Sequence, residues 1–259
     1  MCKRFTLALG VAVLTASVLV SSAAANHSWG GYHWARTSNP FTVKLGNNLT
    51  GVWPAYLNTT SSDWSRSTVL DTTVVAGQSK GRCRATAGRD EICNGTYGSN
   101  GWLGVATIWL ESGSLHITQG TVKVNDTYFN TPTYNTTPWR NLVMCQEVGH
   151  TFGLDHQDEN FSNTNLGTCM DYTSNPTGPP DNEHPNQHDY DELVTIYTHL
   201  DNHTTVGAAA PASQAQSDNA APIAVTRSDR ISDSTIVESF ADGSRRITHI
   251  TWAIPGTMR

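Results

Sequence analysis

The segment Gln146-Glu147-Val148-Gly149-His150-Thr151-Phe152-Gly153-Leu154-Asp155-His156 gathers the residue types that hold and use a divalent metal ion. Imidazoles are donors that zinc favours, and a carboxylate three residues before the first of them can act as a general base. On a helix, positions four apart share a face, so residues 146 and 150 converge on one point with Glu147 beside it. Gly153 can end the helix and let the chain swing His156 toward the same point. The full pattern for this chemistry is H-E-x-x-H-x-x-G-x-x-H. Only its first position departs here, with Gln146 in place of His.

Three outcomes are open at that position. The Gln146 amide oxygen could complete a weak three-ligand site, a neutral amide being a poorer zinc donor than imidazole. Another side chain could substitute, with His184 and His188 the nearest candidates, although Pro185 keeps those two off one continuous helix. Or the metal could be lost, leaving a binding module. The presence of Glu147 favours catalysis, because a site without chemistry needs no base. The plainer alternatives are a buried helical His150, a core Met170 and a half-buried Tyr172.

Past the helix, Cys169-Met170-Asp171-Tyr172 places its Met fourteen residues beyond His156. This stretch resembles the Met-turn of the metzincin clan of zinc metallopeptidases (matrixin- and astacin-like enzymes), and His188–Leu200 resembles the helix that follows it. The resemblance covers roughly residues 138–200. It implies an α+β zincin-like catalytic domain: a twisted mixed sheet, an active-site helix and a small C-terminal subdomain. It further implies a secreted zinc-dependent endopeptidase acting on protein or peptide substrates. Gln146, His150 and His156 would ligate one zinc ion, with Glu147 as general base. Met170 would form the apolar floor, and Tyr172 an extra ligand or oxyanion donor. A catalytically inactive extracellular binding protein on the same fold is the alternative.

Composition narrows the class. Lys3 and Arg4 precede the apolar run Phe5–Val20, and Ala23-Ala24-Ala25 follows, the pattern of a cleaved secretory leader over residues 1–25. The run falls short of the roughly 20 residues a membrane span needs. Removing the leader takes away two positive charges, so the formal net charge moves from -6 to -8. Such an acidic chain offers no basic face for nucleic acid. The expected protein is secreted, has no membrane partner after leader removal, and is a monomer.

Four cysteines remain after the leader, an even number that suits two disulfides in an oxidising compartment, with three pairings possible. Cys83–Cys93 would close a local loop, and Cys145–Cys169 would brace the helix against the Met-turn. A buried free thiol at Cys145 is the alternative.

The elements that must position these residues are legible in outline. Strands are expected at Phe41–Leu45, Val69–Ala76, Trp102–Leu110 and His116–Val124, and a helix at Trp53–Arg66 with Pro54 in its first turn. His27, His33 and His116 read as surface or packing residues. Residues 77–100 read as a stapled polar loop. The site helix starts at a Thr137 cap with Pro138 in its first turn, and Gly153 ends it. The loop 157–168, with Asp158 and Glu159, could suit an oxygen-ligated calcium but reads more simply as solvated. The expected organisation is a catalytic domain over 26–203, a flexible linker over 204–226 and a β-hairpin tail over 227–259, turning at Asp242-Gly243. Sequons such as Asn48, Asn58, Asn94, Asn125 and Asn135 suit a secreted chain and leave glycosylation open.

Overall fold

The computed structural model describes residues 27–79, 83–208, 225–230 and 232–256. The expected leader and most of the expected linker lie outside these. In chain order the elements are β1 (His33–Trp34), β2 (Phe41–Asn48), α1 (Trp53–Trp64), β3 (Leu70–Ala76), β4 (Asp90–Gly95), β5 (Trp102–Leu110), β6 (His116–Asn125), α2 (Asp126–Phe129), α3 (Thr137–His150), α4 (Gln187–Ile196), β7 (Val225–Arg230), β8 (Thr235–Phe240) and β9 (Arg245–Trp252). The result is a mixed α+β architecture with one large sheet and few helices.

The sheet runs β3-β2-β4-β6-β5-β9-β8-β7, and β1 pairs with the start of β6. Pairing is parallel from β3 to β6. It becomes antiparallel from β6 through β5, β9 and β8 to β7. Parallel neighbours need crossover connections, and α1 supplies the one between β2 and β3. In the antiparallel part, Gly113 and Gly243 turn the chain at positive φ between β5 and β6 and between β8 and β9.

The site helix α3 lies against β5, β6 and β9 on one side and α1 on the other. Its residues from Leu142 to His150 are all buried, and Trp64, Val122, Ile108 and Phe152 belong to the same core. Two indoles fix its end. Trp64 Nε1 donates to the Cys145 carbonyl at 3.1 Å, and Trp34 Nε1 donates to the Thr151 carbonyl at 2.9 Å. Burying an indole with its N–H paired combines a large apolar contribution with no unsatisfied donor. Both disulfides, Cys83–Cys93 and Cys145–Cys169, are present. The second ties α3 to the residue before Met170, closing a loop whose entropic contribution is about 3 kcal/mol.

Several elements differ from the sequence expectation. The polar stretch 77–100 contains β4, whose Asp90 and Glu91 are buried. Their charges suggest solvent, but Glu91 pairs with Arg89 at 3.0 Å and Asp90 accepts from the Thr151 hydroxyl at 2.8 Å. The cap of α3 is Thr136 rather than Thr137, and its side chain makes no capping bond. The short helix α2 was not foreseen; the Asn125 side chain caps it by accepting from the Thr127 N–H. Residues 204–208, expected to open the linker, are held to the sheet by Thr205 N–H on the Ala35 carbonyl and Gly207 N–H on the Gly88 carbonyl. The tail contributes three strands, and β9 hydrogen-bonds β5, so these strands extend the main sheet. No helix among the described residues is long and apolar enough to cross a membrane.

Asp90 gives the fold a pH signature. Burial pushes its carboxyl up to about 8, against the lowering effect of the Thr151 hydrogen bond. The folded state therefore keeps a proton that the unfolded state releases, so this group's contribution is present below about pH 4 and is lost as pH rises toward 8. Asp90→Asn is expected to match the wild type near pH 4 and to gain on it at higher pH, by up to about 1.4 kcal/mol per pH unit. Urea unfolding at pH 5 and pH 8 checks this; a constant difference between the two proteins contradicts it.

Candidate metal centre

Helix α3 carries Gln146, Glu147 and His150, and the chain then turns sharply. Gly153 makes the turn possible: its φ is +95°, and a Cβ there would lie 2.0 Å from the Tyr32 carbonyl oxygen. The turn also sets the His150 ring, whose Nδ1 bonds the Leu154 carbonyl at 2.8 Å. A carbonyl can only accept, so that nitrogen carries the proton and Nε2 presents its lone pair. His156 is oriented likewise, with Nδ1 at 3.0 Å from Glu159 Oε1. The two Nε2 atoms face each other 3.1 Å apart in the interior. Two bare nitrogens at that distance repel unless a proton or a cation lies between them.

A third imidazole arrives from the opposite end of the chain. His249 sits on β9 in register with Ala106 of β5, and its side chain is fully buried. His150, His156 and His249 each offer a ligand atom, all within 4.8 Å of one another. The His249 ring stacks on that of His150, with centroids 3.9 Å apart. Its Nε2 bonds Asp155 Oδ1 at 2.9 Å, while its buried Nδ1 has no partner. Burial, followed by the neighbouring His156, depresses His249 to about 4. Burial and then His249 hold His150 well below the ordinary histidine range. Neutral rings with bare nitrogens are the form in which histidine binds metal.

Gln146 has a different partner from the one its position suggests. Its amide oxygen accepts from the Thr251 hydroxyl of β9 at 2.8 Å. Glu147 is fully buried against the backbone of β5, where a Cβ on Gly104 would lie 2.3 Å from Oε1. Neither carboxylate oxygen has a hydrogen bond of normal geometry. Burial pushes this carboxyl up to about 8, opposed by the nearby Thr251 hydroxyl and Ala106 N–H.

Met170 lies under the helix, its sulfur 2.7 Å from where a Gly149 Cβ would be. The Tyr172 ring lies 4.4 Å from that of His156, and its hydroxyl donates to the Ile250 carbonyl at 2.8 Å. His184 and His188 are elsewhere. His184 Nδ1 pairs with Asp63 at 2.7 Å, and His188 stacks on His27. In the loop proposed for calcium, Glu159 holds His156 and the Asp158 carbonyl accepts from the Tyr172 N–H.

The structure thus gathers His150, His156 and Glu147 with Met170 and Tyr172, and adds His249, which the sequence reading missed. A sign of it was present. Ile247, His249 and Thr251 alternate on one face of β9, and Ile247 is core, so the same face carries His249 inward.

No protein-family model matches this chain, and no curated protein matches it. Two solved structures of myroilysin are similar to it. One is 12% identical, with a TM-score of 0.38, over 67% of this chain and 99% of the other. The second is 12% identical, with a TM-score of 0.36, over 64% and 86%. Likeness at this level leaves the chemistry to the geometry of the site.

Thr251→Val tests how β9 is held. It leaves the buried Gln146 amide oxygen without its donor, which is expected to cost about 1–3 kcal/mol. Denaturant unfolding reads the loss; unchanged stability contradicts the Gln146–Thr251 bond.

Proposed function

We propose that this chain is a zinc-dependent peptidase of metzincin type whose three protein ligands are His150, His156 and His249. One observation carries the reading: three oriented imidazoles, those of His150, His156 and His249, meet on the helix and strand that bury Glu147. The donor set suits zinc, and the unpartnered Nδ1 of His249 is the kind of atom a ligand site leaves. The 3.1 Å between the two Nε2 atoms is near the roughly 3.3 Å separating donors at tetrahedral zinc distances. Gln146 then serves as the anchor that holds β9 in place through Thr251.

A zinc ion at this point supplies Lewis acidity to a scissile carbonyl and to the attacking water. With the ion bound, Glu147 would be the residue that takes a proton from a water held there and returns it to the leaving amine. Burial raises the basicity of Glu147, opposed only in part by the nearby Thr251 hydroxyl and Ala106 N–H. Asp155 and the Leu154 carbonyl fix the rings of His249 and His150, and Glu159 fixes that of His156. Such orienting bonds typically matter 10–100-fold to metal affinity or activity.

A second reading has its own support. Glu147, His150 and His249 are completely buried beneath β9, and Tyr172 is committed to the Ile250 carbonyl. A substrate reaches the carboxylate only if the tail strands yield. Stable closure of this kind favours a non-catalytic, zinc-containing binding protein on the same fold.

Zinc affinity and hydrolysis separate the readings. His249→Ala is expected to weaken zinc binding at least about 100-fold, whereas Gln146→His changes it little. The reverse result makes Gln146 the ligand. Glu147→Gln is expected to keep stoichiometric zinc and lose hydrolysis of a general protein substrate. Stoichiometric zinc in a wild type that cleaves no such substrate establishes the second reading.

A further inference from the structure

A second histidine cluster lies where β1, the start of β6 and the chain after α4 meet. His33 and His116 are direct register partners in the parallel β1–β6 pair. Asp201 is fixed beside them by its N–H on the Arg36 carbonyl and by Arg36 Nη1 on Oδ2 at 2.9 Å. Its other oxygen, Oδ1, faces three imidazoles. His116 Nε2 lies 3.3 Å from it, His199 Nε2 3.6 Å and His33 Nε2 3.7 Å. His33 Nε2 and His199 Nε2 are 3.1 Å apart.

Two of these rings have their proton fixed on the far side. His33 Nδ1 bonds the Gly31 carbonyl at 2.8 Å, and His116 Nδ1 bonds Glu111 Oε2 at 3.1 Å. Both acceptors hold Nδ1–H, which leaves Nε2 of each ring as the atom turned toward the carboxylate oxygen and available as a ligand. Lone pairs converging on an anion need a cation among them. Outward Nδ1–H bonds to a carbonyl and a carboxylate are also the usual supports of metal-bound histidines.

We propose that His33, His116 and Asp201, joined by His199, form a second zinc site, structural rather than catalytic. Four of the six donor separations, 3.1–3.7 Å, bracket the roughly 3.3 Å edge of a tetrahedron with zinc–ligand bonds of 2.0–2.1 Å, and His33, His116 and Asp201 all offer ligand atoms within 4.8 Å of one another. Nitrogen-rich donors select zinc over calcium or magnesium. Four protein ligands would close the coordination sphere, the arrangement of structural zinc sites. Such an ion would clip the segment after α4 to the sheet.

The test uses the full chain with the first cluster disabled by His156→Ala, so its outcome is independent of the proposed function. Cobalt, loaded and then dialysed, is counted by mass spectrometry and read by its d–d absorption. About one bound ion with tetrahedral bands is expected, weakened at least about 100-fold by adding His116→Gln. Zinc should raise the melting temperature of the first protein and not of the second. Should the combined variant not fold, His199→Ala in the same background serves instead, with weaker binding and altered bands expected. Absence of bound metal in the His156→Ala chain, or binding indifferent to the cluster substitutions, overturns the site and leaves a protonated histidine–carboxylate network.

Discussion

The antiparallel pairing of β9 with β5 is the constraint on which the site depends. It places His249 opposite Ala106, brings its ring onto His150, and sets Thr251 against Gln146. Without that strand, α3 and the turn after it would present two imidazoles, a carboxylate and an unbonded amide. The strand completes the donor set and closes it from water in one step. The same burial that disfavours the charged forms of His150 and His249 also removes Glu147 from solvent.

This explains Gln146 in physical terms. A histidine at 146 would reach the metal from one turn before His150. Here the amide instead makes a hydrogen bond with the strand that brings another imidazole. On the proposed reading, ligand and anchor exchange places: the helix holds the strand, and the strand supplies the nitrogen. The Cys145–Cys169 disulfide and the Trp64 indole on the Cys145 carbonyl keep the helix still enough for that exchange.

What could be read from the sequence was local. The helix bearing Glu147 and His150, the turn at Gly153, both disulfides and the hairpin around Asp242-Gly243 follow from spacing, turn chemistry and cysteine count. What escaped was non-local or electrostatically disguised. Nothing in the residues of β9 says that it docks on β5, so His249, ninety-three positions after His156, stayed out of the ligand set. Strand β4 was hidden by Asp90 and Glu91, acids that are buried only because Thr151 and Arg89 meet them. His33, His116 and Asp201 are far apart in the chain, and only the β1–β6 register and the Arg36 contacts bring them together.

The central claim is that the tail, rather than position 146, supplies the third nitrogen. Diffraction from crystals of the zinc-loaded full chain, collected on both sides of the zinc absorption edge, tests it most directly. The account predicts an anomalous peak about 2.0–2.1 Å from one nitrogen each of His150, His156 and His249, with Gln146 still bonded to Thr251. A peak bound by the Gln146 amide oxygen, with His249 displaced from the ion, would contradict it.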